Sequence, residues 1–335
     1  MSSTFPTSRL RSPEEIAINA GVQVPRLRLP AADVFAERAL RLRELAAGHA
    51  MRDYLLLMAT VCEAQQARLQ HFPDVPLPTA ADADRASADG VPLLDTARWP
   101  RDPIWRTEWR ALLSQVRERL PADSPALPGI AAQGGWSDAQ LDQQAERLLS
   151  GIMLGLDLAA APLVAAGLQL YWTHLVIATE AAVPNAFGIV QDATRCPCCG
   201  SLPTASVTRI GGDHEGYRYL HCSLCNAEWH MVRVKCTHCL GTGGIHYQSV
   251  QPLDHAQQAG QREPVQAETC DNCGHYLKIV HMGRDMHAEP VADDLATLTL
   301  DLLVAEDGYQ RHGTNLFLLF GDADSESVSP EPGGT

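Results

Sequence analysis

The chain has 335 residues and a formal charge of −14, with 45% apolar and 20% charged residues. This is an ordinary globular composition, long enough for roughly two or three domains with a real core, and the negative excess argues against a general polyanion binder. The opening MSSTFPTSRLRSPEE has no apolar stretch of the kind that directs secretion. The expectation is a cytoplasmic protein, in whose reducing surroundings ten cysteines read as metal ligands rather than disulfides.

Residues 1–190 read as a helical domain. VFAERALRLRELAAGH sets Phe35, Leu40 and Leu42 among Arg and Glu at mixed helical spacing. After a break at Gly48, MRDYLLLMATVCEAQQARLQHF continues the pattern and carries Cys62, expected as a small core residue. TEWRALLSQVRERL, 107–120, is amphipathic and stops at Pro121. Ser137 and Gln140 give a capping-box start to DAQLDQQAERLLSG. The Pro-, Ala-, Asp- and Ser-rich stretches 74–92 and 121–136 are expected to be surface loops. GIMLGLDLAAAPLVAAGLQLYWTHLVIA, 151–178, has the length and apolarity of a membrane span. Asp157, Gln169 and His174 interrupt it and Pro162 divides it. The expectation is no membrane span but two buried helices meeting near Pro162, with that proline in a first turn where its missing N–H costs little.

The character changes at 185–195. TASVTRIGGDHEGYRYLH predicts a hairpin turning around Gly211 and Gly212, AEWHMVRVK alternates like a strand, and HYLKIVHM predicts another. A helix is expected at 293–306, with Leu295, Leu298 and Leu302 on one face, packing on the helical domain. The tail from 321 to 335 reads as disordered.

Four CxxC pairs stand within 78 residues: Cys196/Cys199, Cys222/Cys225, Cys236/Cys239 and Cys270/Cys273. Two intervening residues let a tight turn present both sulfurs to one tetrahedral ion. The residue after the second cysteine often needs positive φ; here it is Gly200, Asn226 and Gly274, with Leu240 departing from the pattern. If the ten residues between Cys225 and Cys236 are mostly strand, they span about 30 Å, too far for the second and third pairs to grip one ion. The pairs then combine in sequence: Cys196, Cys199, Cys222 and Cys225 at one site, Cys236, Cys239, Cys270 and Cys273 at the other. Each closes a hairpin, as in zinc ribbons and rubredoxin-like folds. Cys198 is the spare thiol, an exposed or packed bystander. His221, His230, His238, His275 and His281 lie nearby, on strands or at knuckle edges, and four complete pairs make them unnecessary as ligands. A closed four-thiolate site has no open coordination position, which argues against hydrolytic metal catalysis; it accepts zinc or iron, and spacing does not choose.

The fold class that follows is α+β: an N-terminal all-helical domain (1–190), tandem rubredoxin-like or zinc-ribbon four-cysteine β modules (191–235 and 236–290), and a C-terminal helix within 291–320.

Four stretches carry a resemblance to a known family: FAERALRLRELAAGHAMRDYL, CPCCGSLP, YRYLHCSLCNAEWHMVRVKCTHC with CDNCGHYLKIV, and ADDLATLTLDLLVAEDGYQRHGTN. In this order they resemble the formate dehydrogenase accessory protein family, FdhE. The resemblance implies a cytoplasmic, non-enzymatic protein needed for formation of active respiratory formate dehydrogenase. It implies binding to that enzyme's catalytic subunit before export, and it suggests iron, with zinc possible, at the eight cysteines named above. No role transfers to Cys198.

Two other functions compete. Many zinc ribbons bind nucleic acid, but residues 196–290 carry seven Lys and Arg against nine Asp and Glu, without the basic footprint that phosphate contacts need. A CxxC redox or sulfur-transfer enzyme would place its pair at a helix start after a strand; CPCCGSLP runs into Pro203 instead. No G-x-S-x-G, P-loop or H-E-x-x-H is present, and LGTGGIHY reads as a turn. Oligomeric state stays open, a homodimer included.

Overall fold

The computed structural model describes residues 24–211, 215–250 and 263–319. The tail read as disordered, Gly212 of the hairpin turn and the opening segment read for a secretion signal lie outside them.

One short strand apart, the regular structure of the described residues before the first cysteines is helical. β1 (Leu27–Arg28) leads into α1 (Val34–Leu45) and α2 (Arg52–Leu69). Gly48, at φ +73°, makes the turn that folds α1 back on α2. The buried face of α1 is Phe35, Arg38, Ala39, Arg41 and Leu42, whereas Leu40 is 67% exposed. Of the three apolar residues read from the sequence, Phe35 and Leu42 are buried and only Leu40 turns outward, while Arg38 and Arg41 share the buried face.

The stretches expected to be loops each hold a helix. α3 (Ala80–Asp89) starts on a capping box between Thr79 and Asp82 and ends at Gly90, at φ +65°. α5 (Leu127–Gly134) starts with a proline in its first turn, as prolines favour. Composition hid both, because short Ala- and Asp-rich helices have no long apolar stripe. Between them α4 (Ile104–Arg119) ends just before Pro121. The capping box of Ser137 and Gln140 opens α6 (Asp138–Leu149).

The long apolar stretch forms one helix, not two. Residues 151–160 are turns that leave Ile152 and Leu154 exposed, and α7 (Ala161–Ala182) runs unbroken with Pro162 in its first turn. Among the described residues α7 alone is long and apolar enough to cross a membrane, and 83% of its apolar window is buried inside the protein. α2, α4 and α6 cover it. Trp109 of α4 lies over Gly167 and donates its indole N–H to the Leu163 carbonyl at 2.9 Å.

The remaining strands join one sheet in the order β1-β4-β3-β2-β7-β6-β5. β2 (Pro203–Thr208) and β3 (Arg218–Cys222) form the predicted hairpin, and β5 (Ile245–Gln248), β6 (Val265–Cys270) and β7 (His275–His281) form a second antiparallel unit. The tandem modules are fused: β2 pairs in parallel with β7, Val207 opposite Val280. AEWHMVRVK pairs only over β4 (Glu228–His230), because β3 reaches back no further than Arg218; Val232 and Val234 are exposed.

The expected helix at 293–306 is also divided. α8 (Pro290–Ala296) packs on α1, and α9 (Leu298–Glu306) packs on β6 and on β8 (Gln310–Arg311). Buried Lys278 of β7 inserts at the break, donating to the Asp294 carbonyl at 2.6 Å and the Thr297 carbonyl at 3.2 Å while pairing with the Asp294 and Asp301 carboxylates. The ammonium shares these carbonyls with the Thr297 and Leu300 N–H groups, which donate to Asp294 and Thr297 at 3.3 and 3.0 Å in tight i→i+3 turns, and Thr297 leaves helical geometry. Leu302 consequently turns outward, 55% exposed, while Leu300 and Val304 face the sheet.

A Cβ added at Gly167 would lie 2.6 Å from Trp109 Cδ1. The helix-propensity gain of Gly167→Ala is about 1 kcal/mol, smaller than the ~1–3 kcal/mol of overpacking. Thermal denaturation is expected to show a lowered midpoint.

Candidate metal centres

Each knuckle is built by its own backbone. The Gly200 and Gly274 N–H groups donate to the Cys196 and Cys270 carbonyls at 2.9 Å, and Leu240 N–H to the Cys236 carbonyl at 3.1 Å. Gly200, Asn226, Leu240 and Gly274 all have positive φ, Asn226 and Leu240 at 60°. Leu240, the departure in the sequence pattern, adopts the same turn, which a leucine enters only at a cost of about 1–2 kcal/mol.

The turns gather the eight cysteines into two groups of four, Cys196, Cys199, Cys222 and Cys225, and Cys236, Cys239, Cys270 and Cys273, with the sulfurs of each group within 4.8 Å of one another. In the first group Cys196–Cys225 and Cys199–Cys222 are 3.5 and 3.4 Å apart; in the second Cys236–Cys273 and Cys239–Cys270 are 3.7 and 3.8 Å apart. A tetrahedral ion with metal–sulfur bonds of about 2.3 Å sets its sulfurs about 3.8 Å apart. The donor sets therefore fit one zinc or iron ion each. The Leu224 and Cys225 N–H groups point at Cys222 Sγ, and those of His238 and Cys239 at Cys236 Sγ, at 3.4–3.5 Å, which favours thiolate over thiol. The pairing read from sequence matches these groups, although the strand argued to hold the middle pairs apart is only three residues long.

Three family models match consecutive parts of the chain: FdhE N-terminal over residues 24–185, FdhE central domain over 195–233 and FdhE C-terminal domain over 234–318. The chain belongs to the FdhE family. The resemblance carried by the knuckles and flanking helices is thereby borne out. The chain is 37% identical to Protein FdhE of Escherichia coli O9:H4, over 90% of this chain and 91% of that one. It is 40% identical to the FdhE homolog of Pseudomonas aeruginosa, over 88% and 93%. The crystal structure of the FdhE protein from Pseudomonas aeruginosa superposes with a TM-score of 0.74 at 36% identity, covering 89% of this chain and 100% of that chain.

In this FdhE chain the two groups differ in their surroundings. All four cysteines of the first are fully buried and belong to the main core with α7. The Leu94 and Thr96 N–H groups donate to the Cys198 and Cys199 carbonyls at 2.9 and 3.2 Å, and Gln169 of α7 to the Ser223 carbonyl at 2.8 Å. In the second group Cys239 is exposed and Cys273 half-buried. Cys198 is buried outside the four-sulfur group, and burial raises its thiol well above the ordinary value. Cys62 is a core residue whose thiol burial pushes up to about 12.

Burial also raises the Cys222 and Cys225 thiols, and it opposes ionisation of Cys196, but sulfur hydrogen bonds from Cys198, Cys199, Cys222 and Cys225 hold Cys196 well below its usual value. A dication bound among these sulfurs would favour their thiolate forms, so that loading releases protons.

His221, His230 and His281 lie on strands, and His238 and His275 at the edges of the second group, as expected. Sequence reading missed the charged network behind the second knuckle. Asn226 accepts from Arg38 at 2.7 Å and donates to Thr173 at 2.8 Å. His221 meets Glu228 at 3.1 Å, and Glu228 also accepts from Arg28 and Arg209. The network borders a cavity of about 430 Å³ between α1 and the sheet. Two arginines in an otherwise apolar helix face, and asparagine at a left-handed position, were the available signals.

Analysis for zinc or iron after anaerobic loading is expected to give two ions per chain. Cys222→Ser with Cys225→Ser should remove one and sharply lower the melting midpoint, because that group lies in the core. Cys239→Ser with Cys273→Ser should remove the other and leave the core transition nearly in place.

Burial opposes ionisation of Glu228, but Arg209 and His221 outweigh it and hold its carboxyl well below the usual carboxylate range. Its contribution is complete above the ordinary value of 4.5 and is lost as pH falls below that value. Glu228→Gln should cost about 3 kcal/mol at neutral pH. Denaturant titrations at stepwise lower pH should show the gap from the parent chain closing below about pH 4.5.

Proposed function

We propose that this chain is a non-catalytic, metal-binding assembly factor. It binds the catalytic subunit of formate dehydrogenase in the cytoplasm and is required for formation of the active enzyme. The observation that carries this reading is membership of the FdhE family across three consecutive family models, joined to two four-sulfur groups of metal-site geometry. The eight cysteines hold two ions, iron or zinc, and a complete set of four thiolates favours holding an ion over activating a substrate on it. None of the ten cysteines is in a disulfide, which suits a reducing compartment. A nucleic-acid ligand is disfavoured by the acidic balance of the module sequence.

A CxxC redox reading has one observation in its favour. Cys239 is exposed, and its thiol is held below the ordinary value by a hydrogen bond from the Gly241 N–H. The same features suit a thiolate ligand.

Anaerobic affinity purification from the native host, followed by mass spectrometry, separates these readings. Recovery of a formate dehydrogenase catalytic subunit, lost with Cys222→Ser plus Cys225→Ser, is the expected result. No such subunit under conditions where the dehydrogenase is made, or recovery of nucleic acid, would remove the assembly reading. Thiol–disulfide exchange by the metal-free chain would favour the redox one.

A further inference from the structure

Three imidazoles crowd the open side of the second cysteine group. His238 lies within its first knuckle and His275 two residues beyond Cys273; their rings stack at 3.7 Å between centroids and 8° between planes. One ring nitrogen of each and the Cys273 sulfur lie within 4.8 Å of one another. His312 is brought alongside by β8, whose Gln310 and Arg311 pair with His275 and Tyr276. Its ring meets His238 edge-on at 5.1 Å. His312 is 7% exposed, and its Nε2 is buried with no hydrogen-bond partner. An unmatched buried ring nitrogen costs free energy and calls for an explanation.

The remaining geometry suits a ligand role. His275 Nδ1 donates to the Cys273 carbonyl at 2.8 Å, which fixes the ring and leaves the lone pair on Nε2. His238 is exposed, so its ring can swing out of the parallel stack to converge on the same point. A dication held by four thiolates keeps a residual negative charge, and here that charge faces solvent through Cys239 and Cys273. A second cation is drawn to the place where extra donors stand.

We propose that His238, His275 and His312, with Cys273 as a shared ligand, form an auxiliary metal position beside the second cysteine group. It takes a divalent first-row transition cation, since imidazole with thiolate suits zinc, nickel or cobalt and not magnesium or calcium. This inference rests on the reading that the second group itself holds an ion.

The test uses the untagged full chain loaded with two zinc ions, titrated with nickel, then desalted and analysed for both metals. The expected result is one bound nickel with both zinc ions retained. Nickel binding should weaken by about tenfold or more in His238→Ala and in His312→Ala. His238 is exposed, so its variant keeps the fold even if that of buried His312 does not. Nickel replacing zinc one for one, no bound nickel, or a third ion indifferent to His238→Ala would overturn the proposal. Failure of the chain to hold two zinc ions would remove the metal reading as well.

Discussion

A guanidinium cannot escape burial by losing its proton, so burying one commits the fold to an anionic partner. α1 buries two. Arg38 pairs with Glu289 at 3.0 Å, and Arg41 pairs with Asp293 at 2.7 Å and Asp285 at 2.6 Å. These carboxylates are also what starts α8: Glu289 accepts from the Val291 and Ala292 N–H groups, and Asp293 from that of Glu289. Arg38 then reaches Asn226, the left-handed residue of the second knuckle, which holds Thr173 of α7. One face of one helix thus sets the position of the C-terminal helix, the first metal centre and the central core helix.

The two cysteine groups have nearly the same internal geometry and opposite settings. The first is walled in by α7 and the loop around Leu94, so that Trp172 donates to the Leu94 carbonyl and Leu94 in turn to Cys198. The second stands on the far unit of the sheet with an exposed sulfur. The parallel pairing of β2 and β7 holds both in one rigid frame. An ion bound at the first would be part of the core; one bound at the second would be within reach of solvent.

Much of this was legible in the sequence because the signals are local. CxxC spacing and the residues after it encode the knuckles, Ser137 and Gln140 encode a helix start, and Pro162 marks a first turn. What stayed hidden depends on partners far along the chain. Nothing near Thr297 says that Lys278 will break the helix there, and nothing near Val232 says that β3 will end too soon to pair with it. Leu40 and Arg38 could have exchanged roles on pattern alone; the acidic start of α8, some 250 residues on, decides which one is buried. The Ala- and Asp-rich α3 lacks a stripe and reads as a loop; its Thr79 cap and Gly90 stop are the local signals that mark it.

The pairing of first with last also sets an order of assembly. β1 pairs with β4 across about two hundred residues, and Arg38 waits for Glu289. On a ribosome the helical part emerges long before either partner exists. Its two arginines must stay hydrated, and the α1 face must stay open, until residues 285–293 have been made. The final docking step is one of high contact order and correspondingly slow. A nascent chain can therefore form its helices early, but α1 cannot bury its two arginines until residues near 290 are free to fold back.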